Sequence, residues 1–254
     1  MLRLTSYRTR KVLVTITGAD HTVEPKALAE LSERFPLVEW AFLYSSTRAG
    51  SPRYPWWNWI EKAARAIPWS ASLALHTCGQ QTRNIGAGDV TVLEHLRVLR
   101  PEWRVQLNGA DVEAAMPQRL WEKYEDSGLS FIVQARTVDQ VQDAARFTRY
   151  EKGVLYDPSG GTGQRPEEWP KPPLASQPIG YAGGIGEDNV RAVLDDVSTK
   201  AGCFWIDMES SVRTNDRFDL EKVERVLAIV HEWRANYEKT MIEAWRARRN
   251  QQKG

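Results

Sequence analysis

Eight short apolar runs, amphipathic segments between them and a length of 254 residues predict an α/β chain folded as one (β/α)8 barrel. The runs are near-continuously apolar, as strands of a parallel sheet are when both faces are covered. Their regular alternation with helical patterns is that of repeated βα units. An open doubly wound sheet is the alternative, but it usually has fewer strands and gives no reason for polar residues to recur after so many strand ends. No linker divides the chain, so residues 1–254 read as a single domain ending in an extended basic helix.

The elements follow in order. A strand at 12–16 (VLVTI) leads into Thr17-Gly18-Ala19-Asp20-His21, and a helix follows at 25–35. The second strand is 38–44 (VEWAFLY), followed by a helix at 56–66 that opens on the aromatic stretch YPWWNW (54–59). The third strand, 71–75, ends at His76-Thr77-Cys78-Gly79, with a helix at 89–99. Strands at 104–107 and 130–134 end at Asn108-Gly109 and Ala135-Arg136, with helices at 113–125 and 137–149. The sixth strand, 153–156, stops at Asp157 before a loop of Gly160, Gly161 and Gly163; the Pro- and Trp-rich segment 164–176 then allows at most a short helix. Strands at 178–182 and 203–207 lead into Gly183-Gly184 and Glu209-Ser210-Ser211, with a helix at 187–196 between them. The last helix starts at Asp219 and can run past Trp245, carrying Leu220, Val223, Val226, Leu227 and Val230 at helical spacing.

Composition narrows the function classes. A formal net charge of +1 gives no case for nucleic acid or a membrane surface as partner, and Arg246, Arg248 and Arg249 read as a solvated helix terminus. No apolar run reaches the roughly 20 residues that span a bilayer. The start lacks the apolar core of a signal peptide, and Cys78 and Cys203 are too few for a disulfide framework. A soluble, cytoplasmic protein is expected. The 11 tryptophans are many for this length, and the YPWWNW cluster reads as core or lid packing or as a platform for a planar group.

In barrels of this kind the chemistry lies in the loops after the strands. Gly183 and Gly184 after the seventh strand, just before a helix, and Ser210 and Ser211 after the eighth, are placed for a phosphate. Free backbone N–H groups and a helix N-terminus favour an anion there. Asp157 at a strand end reads as a general acid or base, or as an acceptor for the amides of its own loop. Arg53, in SPRYP, reads as a carboxylate clamp or a solvent-facing loop residue. His76, Cys78 and Asp207 each read as site residues or as packed and hydrogen-bonded wall residues. No lysine stands at the end of a strand, which disfavours Schiff-base chemistry. His21, His76, His95 and His231 show no zinc spacing, so neither metal nor cofactor is expected.

Taken in series, these motifs resemble the phosphoribosylanthranilate isomerase family. VTITG (14–18) resembles its first-strand Val-Lys-Ile-Cys-Gly, SPRY (51–54) matches its Ser-Pro-Arg-Tyr, and VQLNG (105–109) is similar to Val-Gln-Leu-His-Gly. YDPSGGTG (156–163) is similar to its strand-6 acid and glycine loop. AGGIGEDNV (182–190) resembles Ala-Gly-Gly-Leu-x-Pro-Glu-Asn-Val, and IDMESSV (206–212) resembles Val-Asp-Val-Ser-Ser-Gly-Val. FDLEKVERVL (218–227) resembles the start of the family's last helix, so the likeness spans nearly the whole chain.

The resemblance implies a barrel enzyme of tryptophan biosynthesis performing an Amadori rearrangement on a small phosphorylated substrate, as a monomer or homodimer. One acid protonates the ribose ring oxygen while one base removes the C2′ proton. Asp157 would be the acid. Arg53, Asn108, Asp207, Gly161 and Gly163 would contact substrate, and Gly183, Gly184, Ser210 and Ser211 would hold the phosphate. The family's base is the strand-1 cysteine, and here that position is Thr17. A threonine hydroxyl is far too weakly acidic to replace a thiolate without a strong partner. Asp20, Cys78 and His76 are the candidates for a recruited base. Thr15, Asn108 and Ser211 also depart from the family's lysine, histidine and glycine. A different enzyme on the same barrel, or a non-catalytic binder of a phosphorylated sugar or nucleotide-like ligand, are the alternatives.

Overall fold

The computed structural model describes residues 13–100, 102–109, 122–124, 127–144, 153–174 and 177–251. Within them eight parallel strands close a barrel in chain order: β1 (Val14–Thr17), β2 (Val38–Tyr44), β3 (Ser72–Thr77), β4 (Trp103–Leu107), β5 (Leu129–Ala135), β6 (Gly153–Tyr156), β7 (Ile179–Ala182) and β8 (Phe204–Met208). Val14 pairs with Val38 on one side and Ile206 on the other, which closes the ring.

The helices, numbered among the described residues, are α1 (Pro25–Arg34), α2 (Trp57–Ala66), α3 (Gln80–Ala87), α4 (Thr91–Leu99), α5 (Val138–Ala144), α6 (Val190–Lys200) and α7 (Leu220–Gln251). None is long and apolar enough to cross a membrane. The helix expected at 113–125 lies outside the described residues except for 122–124, as do positions 145–149 of the one expected at 137–149. Asp219 caps α7 by accepting the amides of Glu221 and Lys222, both at 3.1 Å. A two-stranded hairpin, β9 (Arg213–Thr214) and β10 (Arg217–Phe218), follows the barrel and turns at Asn215 and Asp216, both at positive φ.

Strand parity explains both the core and the site, since successive side chains on a strand point to opposite faces. One parity sends Ile16, Trp40, Leu75, Val105, Val133, Val154, Tyr181 and Ile206 outward into the main core beneath the helices. The other parity points into the barrel, where Ile132, Leu155, Ala182 and Trp205 form a small apolar core. Trp205 fits because β6 and β7 carry glycine beside it: a Cβ on Gly153 or Gly180 would lie 2.6 or 2.3 Å from the indole. Below the mouth, Arg104 pairs with Glu39, its Nη2 donating to Oε1 at 2.8 Å while Nε lies 2.8 Å from Oε2 without a hydrogen bond, and it stacks over the Trp205 ring. Thr15 donates to the same carboxylate at 2.8 Å. A buried charge pair of this kind needs such hydrogen bonds to offset its desolvation.

Segment 164–174 forms no helix. It is held instead by Trp169, buried edge-to-face against Tyr156 and Tyr181, and by the Tyr181 hydroxyl donating to the Pro170 carbonyl at 2.8 Å. The YPWWNW tryptophans pack outside the mouth. Trp59 meets Phe42 and donates to the Val23 carbonyl, and Trp57 packs against Tyr44 and His95. Trp56, 54% exposed, lies against Gly50. None of the three tryptophans lines the cavity described next, whereas Tyr54 of the same stretch does.

Candidate active site

The inward parity ends at the C-terminal mouth in polar side chains: Thr17 on β1, His76 on β3, Gln106 on β4, Gln134 on β5, Asp157 after β6 and Asp207 on β8. They line a cavity of about 1310 Å³, which also touches Arg48, Arg53, Arg83 and Arg136 and the glycines and serines of the loops after β6, β7 and β8. Apart from Asp20, a candidate for a recruited base, every residue nominated from sequence as catalytic, substrate-binding or phosphate-binding borders this one space.

Asp157 is buried, and each oxygen accepts one hydrogen bond: Oδ2 from Gln134 Nε2 at 2.9 Å and Oδ1 from Ser159 Oγ at 2.7 Å. Ser159 Oγ in turn accepts the amides of Gly161 and Gly163 at 3.3 and 3.2 Å. The glycine loop is therefore wound around a serine that orients the acid. The Gly161 and Gly163 amides, expected to face a substrate, are engaged within their own loop.

The loops after β6 and β7 pack back to back. A Cβ on Gly183 would lie 2.7 Å from the Gln164 carbonyl oxygen, and one on Gly184, at φ +60, 2.8 Å from the Arg165 amide nitrogen. Asn189 fastens the second loop through the Gly186 amide and the Gly184 carbonyl. Among the described residues the amides of Gly183 and Gly184 have no acceptor. Ser210 and Ser211 begin a 3₁₀ turn, Ser210–Val212, and among the described residues the buried Ser211 hydroxyl has no partner. Two unused amides and an unpaired hydroxyl at a loop rim are what an anion would satisfy.

Arg53 differs from expectation. Its Nε binds Asp216 at 2.8 Å and its Nη1 binds Glu209 at 2.6 Å, so its guanidinium engages two carboxylates of the protein itself. Its backbone is left-handed, at φ 72, with the amide donating to Asp20 Oδ2 at 2.9 Å. Asp20 receives Arg213 Nη2 at 2.8 Å as well, and its other oxygen takes both donors of Thr22. Burial would raise its pKa, but the bonds from Thr22, Arg213 and Arg53 outweigh this and hold it below the ordinary value. Asp20 is a structural anchor for the Arg53 loop.

Two other recruited-base candidates are also unsuited. Burial, reinforced by Arg104, pushes His76 down to about 3, so its imidazole is neutral and a poor base. Burial pushes the Cys78 thiol up; its Sγ accepts from Asn108 Nδ2 at 3.4 Å. Asn108 also accepts from Gln106 Nε2 at 2.8 Å, so it serves the wall of the site. Among the described residues no group of three or more His, Cys, Asp or Glu side chains is arranged to hold a metal.

Thr17 Oγ1 donates to Asp207 Oδ1 at 2.7 Å. Asp207 is 6% exposed, and its Oδ2 lies 4.0 Å from His76 Nε2. Sequence reasoning missed Gln106, Gln134, Ser159 and the rim arginines 48 and 83, and placed Arg136 and Glu209 at strand ends without giving them a role. The signal for the two glutamines was available: each shares inward parity with Asn108 and Arg136 two residues on, at a strand's last turnings toward the mouth.

A family model for N-(5'phosphoribosyl)anthranilate (PRA) isomerase matches residues 90–228, more than half of the chain. Comparison with curated protein sequences yields no match. Among solved structures, phosphoribosyl anthranilate isomerase from Thermus thermophilus superposes with a TM-score of 0.58 at 16% identity, covering 87% of this chain and 99% of that one. The enzyme from Pyrococcus furiosus gives 0.56 at 15%, and that from Thermotoga maritima 0.55 at 13%, each with the same coverage. At such identities the structural likeness speaks for the barrel, and the family model speaks for descent. The chain belongs to the N-(5'-phosphoribosyl)anthranilate isomerase family.

Proposed function

We propose that the barrel mouth isomerises a phosphorylated ribosyl arylamine by acid–base chemistry, with phosphoribosylanthranilate as the first substrate to try. One observation carries the reading: two buried carboxyl side chains, Asp157 and Asp207, open onto the same cavity as the Gly183–Gly184 and Ser210–Ser211 rim. A sugar held by its phosphate at that rim would extend its ring between the two acids.

In this reading Asp157 gives a proton to the ring oxygen. The C1′–O4′ bond breaks and the nitrogen lone pair forms the C1′–N double bond. Loss of the C2′ proton sends the C–H electron pair into a C1′–C2′ double bond and returns the π pair to nitrogen. Ketonisation releases the enol hydroxyl proton and places one on C1′, so protons and electrons balance without a cofactor. Arg53 already carries two protein carboxylates, which leaves Arg48, Arg83 and Arg136 on the cavity rim for an anionic group on the aryl ring.

The test is turnover of phosphoribosylanthranilate by the purified protein, paired with rescue of a tryptophan auxotroph lacking the isomerase. Asp157→Asn should lower kcat by about 10²–10⁴ with little change in KM, the usual range for removing a general acid. A well-expressed protein with neither turnover nor rescue refutes the reading.

A further inference from the structure

The family's strand-1 thiol is absent, so the C2′ proton needs another acceptor. We propose that Asp207 is that catalytic base and that Thr17, in the cysteine's place, is its positioning residue. The inference rests on the isomerase reading above and deepens it.

Geometry narrows the choice to Asp207. Asp20 is bound by donors on both oxygens and lies outside the cavity lining. Cys78 is a half-buried thiol whose S–H contacts the His76 carbonyl, and His76 is a neutral imidazole. Glu209 lines the cavity but is tied to Arg53 at 2.6 Å. Asp207 has one oxygen fixed by Thr17 Oγ1 at 2.7 Å, while among the described residues Oδ2 accepts no hydrogen bond and borders the cavity. The two oxygens thus have separate duties. One sets the rotamer of the carboxylate, and the other is left to take a proton from carbon. Across from it, each oxygen of Asp157 accepts one hydrogen bond, from Gln134 and Ser159.

The electrostatics agree with this division. Burial raises the Asp207 pKa to about 8; Thr17's hydrogen bond opposes the rise, and the carboxylates of Glu209, Glu39 and Asp157 add to it. The groups facing it are Thr17 from β1, Glu39 from β2, His76 from β3, Asp157 after β6 and Glu209 after β8, with Arg104 of β4 acting on His76. A base is most effective when its pKa lies near the working pH. In the step itself the Asp207 carboxylate takes the C2′ proton, the C–H pair becomes the C1′–C2′ double bond, and the protonated carboxyl later returns its proton to C1′.

The experiment measures kcat, KM and the pH dependence of kcat/KM on phosphoribosylanthranilate for the wild type, Asp207→Asn, Thr17→Val and Thr17→Ser. The wild-type kcat/KM should carry a limb that climbs as pH rises toward about 8. Asp207→Asn should lower kcat by about 10²–10⁴ with KM nearly unchanged. Thr17→Val should move the limb to higher pH, because the hydrogen bond that opposes the rise is gone, and Thr17→Ser should leave it in place. An Asp207→Asn protein within threefold of wild-type kcat overturns the assignment while the isomerase reading stands. A Thr17→Val limb that does not move overturns the role of Thr17. Absence of turnover by the wild type overturns the parent reading instead.

Discussion

Replacing Asp207 with asparagine should make the protein more stable at alkaline pH, although it removes a residue from the heart of the cavity. The native carboxyl titrates near 8 against an ordinary 3.8, a difference of about four units. With a folded-state pKa above the unfolded one, the native state binds the extra proton between these values. Asp207 is therefore harmless to stability below about pH 4, and its presence becomes progressively more costly as pH rises toward 8. At 1.36 kcal/mol per unit, four units correspond to a penalty on the order of 5 kcal/mol, fully developed above pH 8. Asparagine has the shape of the protonated acid, keeps an oxygen for the Thr17 hydroxyl at Oδ1, and cannot ionise. Urea unfolding followed by far-UV circular dichroism, at intervals from pH 5 to 9, gives the comparison. The difference between variant and wild type should widen by several kcal/mol in the variant's favour toward pH 9, since all other titrating groups are shared. Parallel curves across that range would refute both the raised pKa and the burial argument behind it.

Three further outcomes follow from named contacts. Gly184→Ala forces a side chain into φ +60 and brings its Cβ to 2.8 Å from two backbone atoms, so it should cost about 1–3 kcal/mol in denaturant melts and raise KM for phosphorylated substrate. Arg213→Ala leaves Asp20 as a buried charge without its ion-pair partner, and thermal or urea melts should show about 3–5 kcal/mol lost. Gly180→Ala drives a methyl to 2.3 Å from the Trp205 ring, an overpacking expected to cost about 1–3 kcal/mol or more in the same melts.

Most of the barrel was legible from apolar runs alone, because strands buried on both faces leave few interruptions. The errors lie at the mouth, and they share one cause. Runs read as ending at Ile16, Leu75, Gln134 and Asp207 continue as strand through Thr17, Thr77, Ala135 and Met208. Polar residues there ended the apolar pattern without ending the ladder, since inward positions at that level face the cavity. Helix α3 was missed for a different reason. QQTRNIGA is poor in apolar residues and flanked by glycines, and it is secured by Thr82 bonding to the Thr77 hydroxyl and carbonyl, with Ile85 as its buried anchor. The nominated site residues were found because they stand at strand ends. Their partners were not: that Arg53 would meet Glu209 and Asp216, or Thr17 meet Asp207, depends on contacts 156, 163 and 190 residues apart in the chain.

The indole of Trp205 seated over Gly153 and Gly180 has a consequence for how this barrel can change over generations. The three positions behave as one unit with a fixed order of events. A side chain at position 153 or 180 collides with the indole as it stands, because even a Cβ would lie 2.6 or 2.3 Å from the ring. The ring must shrink first, leaving a temporary void and an uncovered Arg104, before either glycine can be replaced. Each single step away from the present arrangement is downhill in stability, so the trio resists drift even though no member of it borders the cavity. The mouth can exchange its side chains above a floor that is not free to move.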